Sequence, residues 1–64
     1  MDKTIFMDYQ EGFFGSETDG KKLLLGQTEG LEKMLNDEYD MGWELISMFP
    51  VSDNGRYVLI FKKR

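Results

Sequence analysis

Residues Lys3 to Tyr9 alternate in the manner of a strand, with Ile5, Met7 and Tyr9 on one side and Thr4, Phe6 and Asp8 on the other. The stretch that follows, QEGFFGSETDGKK, holds three glycines and an Asp-Gly pair suited to a positive-φ turn. It predicts either a long ordered loop or a short hairpin centred on Asp19-Gly20. Phe13 and Phe14 are too apolar for a freely solvated loop, so at least one is expected to pack back on the body of the domain.

After Gly26 the period changes. Thr28 offers an N-cap hydroxyl, Glu29 favours the positive end of a helix dipole, and Leu31, Met34, Leu35 and Tyr39 recur at helical spacing. A helix from Glu29 to Tyr39 is predicted, braced by a Glu29–Lys33 pair and stopped at Gly42. Trp43 to Phe49 and Tyr57 to Lys62 then read as two strands joined through Asn54-Gly55, with Pro50 ending the ladder or marking a bulge. The order is strand, loop, helix, strand, strand. It predicts one α+β domain over residues 1–64, an antiparallel sheet of about three strands with the helix packed on one face.

Both faces of that sheet read as apolar. Trp43, Leu45 and Phe49 oppose Ile46 and Met48, and Tyr57, Leu59 and Phe61 oppose Val58 and Ile60. One short helix covers one face, so the other calls for a partner: the Phe13-Phe14 loop, a second copy, or a different protein. A homodimer is the favoured outcome for so small a chain.

Composition narrows the chemistry. Sixty-four residues lie near the lower limit for an independent core, and the absence of cysteine removes disulfides as a support. The chain also lacks histidine, so neither a zinc site nor the usual nucleophile and general base is expected, and no cofactor or enzymatic activity is predicted. Asp37, Glu38 and Asp40 together could attract a divalent cation, but without a ligand-spaced glycine loop they do not mark a metal site, and none is predicted. MDKTIFMDYQ has neither the basic opening nor the apolar core of a secretory signal, and no run approaches the ~20 apolar residues of a membrane span, which predicts a cytoplasmic protein. The net charge of −4 hides two ends: six acids and one lysine from Glu29 to Glu44, four bases and no acid from Arg56 to Arg64. An acidic total argues against direct nucleic-acid binding.

The run LNDEYDMGWELISM and the closing strand IFKKR resemble the small bacterial and phage family catalogued as domain of unknown function 4177. Its members open with an aromatic-rich strand, carry a leucine-rich helix, pass through Gly-Trp-Glu-Leu and finish with Phe-Lys-Arg. Gly42, Trp43, Glu44, Leu45, Phe61 and Lys62 match. The resemblance covers roughly residues 31 to 64, and the first strand loosely. Glu38 stands where the family favours an apolar residue and Tyr39 where it favours glycine, so the end of the helix is expected to differ. The resemblance implies a stand-alone domain without a catalytic signature, and hence a binding or regulatory role.

Trp43 is read as a lock between helix and sheet, with a binding hot spot as the alternative. Glu44 is read as solvated or paired with Lys62 or Lys63. Glu38 falls on the apolar stripe, where a desolvated carboxylate could serve as a functional acid; the expectation is instead that the helix frays or rotates in its last turn and Tyr39 takes the buried place. The function expected is a non-enzymatic interaction or regulatory module, with Ile46, Met48 and Ile60 as apolar contacts. One alternative is a DNA-mimicking inhibitor presenting Asp37, Asp40 and Glu44. Another is a small-ligand pocket at an oligomer interface, lined by Phe13, Phe14 and Tyr57.

Overall fold

Two tight turns decide the N-terminal half. At Glu11-Gly12 and again at Asp19-Gly20 both residues take positive φ, 52° and 85°, then 53° and 79°. Such turns carry the twist of the strands they join, so each closes a hairpin. The computed structural model, which describes residues 1–64, accordingly contains β1 (Asp2–Gln10), β2 (Phe13–Thr18), β3 (Lys21–Gly26), α1 (Thr28–Asp40), β4 (Trp43–Pro50) and β5 (Arg56–Lys63). They form one antiparallel sheet in the order β3-β2-β1-β5-β4, with α1 crossing one face from the β3 edge to the β4 edge.

This corrects the expected three-stranded sheet and its order. The segment from Gln10 to Gln27 is two further strands rather than a loop, giving strand, strand, strand, helix, strand, strand. Its glycines hid the alternation. Gly15 lies opposite Asp8 within β2, and the Phe13-Phe14 pair reads as a hydrophobic cluster although the two rings lie on opposite faces.

The helix-side core is small. Ile5, Met7, Leu59 and Phe61 form its buried centre, and Leu31, Met34 and Leu35 close over them from α1. Phe14, Trp43 and Tyr57 pack around that centre half-buried. Trp43 thus sits at the junction of helix and sheet but is not fully enclosed; the Lys3 and Lys63 ammonium groups lie 5.7 and 5.0 Å from its ring. The helix begins one residue earlier than expected, with Gln27 in the capping position and no side-chain cap, while Gly30 and Leu31 N–H donate to the Gln27 carbonyl. Lys33 pairs with Asp37 at 3.0 Å rather than with Glu29.

Each edge strand carries one extra residue. Phe14 pairs with Gly26 but Gly15 with Leu24, leaving Leu25 as a bulge in β3. Leu45 pairs with Phe61 but Ser47 with Ile60, leaving Ile46 as a bulge in β4. A bulge reverses the alternation beyond it. Met48 therefore joins Trp43 and Leu45 on the helix side, and Phe49 moves to the open side, the reverse of the simple period-two reading.

Gly30 shows how closely α1 sits on the end of β3. A Cβ there would lie 1.6 Å from the Leu25 carbonyl oxygen. Helix propensity alone favours alanine over glycine by ~1 kcal/mol, but the overlap reverses the sign. Gly30→Ala is expected to lower stability by roughly 1–3 kcal/mol in chemical denaturation; a gain in stability would contradict the close approach.

Candidate functional site

The face of the sheet turned away from α1 is covered by no element of the chain. Its central row follows from the register: Glu17 on β2 lies beside Phe6 on β1, Phe6 beside Val58 on β5, and Val58 beside Phe49 on β4. Ile60 is one pair further along β5, opposite Thr4 and Ser47. Val58 is only 7% exposed although no element lies over it, because a phenylalanine flanks it on each neighbouring strand. Phe49 remains 46% exposed. The row is an apolar ridge with Val58 as its floor.

Charged groups bound this ridge at both ends. On one side the Arg56 Nη1 donates to both Asp8 carboxylate oxygens at 3.0 Å, and Nη2 donates to Glu17 at 3.2 Å. The same guanidinium lies over the Phe6 ring at 4.7 Å, covering part of its apolar surface. The hydrogen bond to Glu17, with Asp8 adding to it, raises the Arg56 pKa, so the group keeps its charge. On the other side Asp2, Lys62 and Glu44 lie in one cross-strand row. With Lys22 opposite Glu17, the open face holds four acids and three bases, a net −1, and the remainder of the chain carries −3 of the total −4.

The sheet edges are guarded. Gly42 and Arg64 share a backbone hydrogen bond, as do Val51 and Arg56. Antiparallel alternation from these two points turns the backbone groups of Met48 and Pro50 outward, away from β5. The N–H that Pro50 lacks would thus have faced solvent, so the ladder to β5 loses nothing while the outer edge lacks a donor. With the Ile46 bulge beside it, little regular edge is left for a further strand. The β3 edge has Lys21, Lys22 and the Leu25 bulge in the same role.

The residues expected to bind partners divide among several surfaces. Ile60 lies on the open face, Met48 on the helix side of the β4 edge, and Ile46 in the bulge, the last two exposed. Phe14 and Tyr57 pack on the helix-side core while Phe13 points to the open side, so these three rings do not line one pocket. A depression of about 220 Å³ does touch both phenylalanines, with Asp8, Gln10, Gly15 and Leu24, but without Tyr57. Asp37 lies on the exposed side of α1, bonded to Lys33, and Asp40 is exposed near the same helix's end, whereas Glu44 is on the open sheet face. Glu44 lies opposite Lys62 without an ion pair. Phe6, Val58, Phe49 and Arg56 were not among the contact residues expected from the sequence; the bulge in β4 and the 48 positions between Asp8 and Arg56 concealed their grouping.

Glu38 overturns the expectation for the end of the helix. It is 7% exposed, whereas Tyr39 is on the surface with the Arg64 guanidinium 4.0 Å from its ring. Spacing from Leu31 and Leu35 turns Glu38 inward, and Lys3, reaching from β1, donates to both its oxygens at 2.9 Å. It therefore braces helix to sheet and does not converge with Asp37 and Asp40; no group of acids in the structure is arranged to hold a metal. The largest recess, about 490 Å³, lies beside this pair between the β2–β3 hairpin and α1. No helix is long and apolar enough to cross a membrane.

No protein family, no curated protein and no solved structure matches this chain.

Lys3→Met would leave the Glu38 carboxylate desolvated and unpaired. A loss of roughly 2–4 kcal/mol is expected in denaturant titration, most of it recovered by adding Glu38→Leu. A single variant as stable as the parent would show that the pair does not brace the helix.

Proposed function

We propose that this chain is a non-enzymatic protein-interaction module and that the open sheet face around Val58 is its working surface. The observation that carries the reading is the ridge of Phe6, Val58 and Phe49 with Ile60 beside it, apolar in the middle and charged at both ends. An apolar centre with a polar rim is the anatomy of a protein–protein contact. The charged groups there support the same reading, because Arg56, Asp8 and Glu17 engage one another and leave no activated nucleophile or free acid and base in a cleft. The lack of cysteine fits a reducing compartment such as the cytoplasm.

DNA mimicry finds less support. Its three acids are split between the outer side of α1 and the opposite face of the sheet, so they present no continuous row of charge. A shared small-ligand pocket is disfavoured in the same way, since Phe13 faces away from Phe14 and Tyr57.

The reading is checked with a neutral apolar dye titrated against dilute protein. Wild type is expected to enhance the dye's fluorescence, and Phe49→Ser with Ile60→Thr to weaken its binding about tenfold or more. Equal binding by both proteins would remove the open face as the working surface.

A further inference from the structure

Resting on that reading, we infer that the occupant of the open face is a second copy of this chain, packed sheet on sheet. Three features favour a copy over a foreign chain. The first is charge. The chain as a whole is strongly acidic, but the open face carries four acids and three bases, so two copies meet there with little net repulsion. Arg56, the base nearest the ridge, is already neutralised by Asp8 and Glu17 within its own copy.

The second feature is the shape of the ridge. Phe6 and Phe49 flank Val58 at one level on the two neighbouring strands. A twofold axis running along β5 through Val58 therefore sets Phe6 of each copy over Phe49 of the other, giving two equivalent aromatic pairs around a Val58–Val58 centre. A surface that maps onto itself in this way meets the requirement of a closed dimer interface. Two sheets packed face to face sit about 10 Å apart with mean strand directions within ~30° of each other, leaving room for these side chains to interdigitate.

The third feature is area, taken with the guarded edges. Five strands spaced ~4.8 Å, of six to nine residues each at ~3.3 Å per residue, give a face of roughly 500–600 Å² in plane. Side-chain relief brings this close to the ~800 Å² per partner of an ordinary interface. Edge-to-edge growth into a longer sheet is the competing arrangement. Pro50 and the Ile46 bulge oppose it at β4, and Lys21, Lys22 and the Leu25 bulge oppose it at β3.

Sedimentation equilibrium on the full chain tests the inference. Mass is expected to rise from near 7.5 kDa at high dilution to twice that value by about 100 µM. Phe49→Asp is expected to raise the dimer dissociation constant about 100-fold or more, while Met48→Lys, which charges the β4 edge but not the open face, leaves it within about threefold of wild type. Circular dichroism monitors folding, and Phe49→Ser replaces the aspartate variant if that one unfolds. Dimerisation abolished by Met48→Lys and untouched at Phe49 would overturn the face in favour of the edge. A chain monomeric throughout would overturn the second copy as occupant. If the monomer still binds the apolar dye in a manner dependent on Phe49 and Ile60, the interaction-module reading survives that loss; if it does not, both fall together.

Discussion

One helix must serve a five-stranded sheet. The 13 residues of α1 close a core around Ile5, Met7, Leu59 and Phe61, and the chain has no second helix for the other side. The rest of the architecture is shaped by that shortage. α1 starts hard against β3, where only Gly30 permits the approach, and its inward stripe ends at Glu38, which needs Lys3 to make burial tolerable. So small a core supplies little surplus stability, and it leaves the Phe6 and Phe49 rings facing water on either side of the shielded Val58.

The protein treats its two kinds of exposed surface differently. Unpaired strand edges invite uncontrolled addition of further chains, and both edges here carry a bulge together with lysine or proline. The open face has no comparable protection at its centre. Arg56 shields one flank of Phe6, but Phe49 and Ile60 have no such cover. Blunted edges beside an unprotected face fit the proposed association through one defined surface better than strand addition.

Much of this was legible in the sequence, and the failures have identifiable causes. β1, α1, β4 and β5 follow from strict alternation, helical spacing, Gly42 and Asn54-Gly55, and the two apolar faces follow from β4 and β5. β2 and β3 were obscured because Gly15 interrupts β2 and because three consecutive leucines in β3 have no period at all. Asp19-Gly20 did mark the hairpin, but the turn at Glu11-Gly12 depends on a glutamate at positive φ, a conformation that its residue type does not advertise. Single extra residues at Leu25 and Ile46 reversed the later faces of the edge strands, which moved Phe49 onto the open side and Met48 off it. The pairs Lys3–Glu38 and Arg56–Asp8 join residues 35 and 48 positions apart, a range at which local pattern holds no information. Glu38 was consequently assigned to the surface and Tyr39 to the core, the inverse of what is found.

In the proposed arrangement the face opposite α1 is closed by a second copy of the chain. Isotope-filtered nuclear Overhauser spectroscopy on a mixture of labelled and unlabelled chains tests it most directly, because only contacts between copies are recorded. The account predicts intermolecular signals linking the methyl groups of Val58 and Ile60 with the rings of Phe6 and Phe49, and none from Leu31 or Met34. Intermolecular signals confined to Leu25, Ile46 and Met48 at the strand edges, or none at all in concentrated solution, would contradict it.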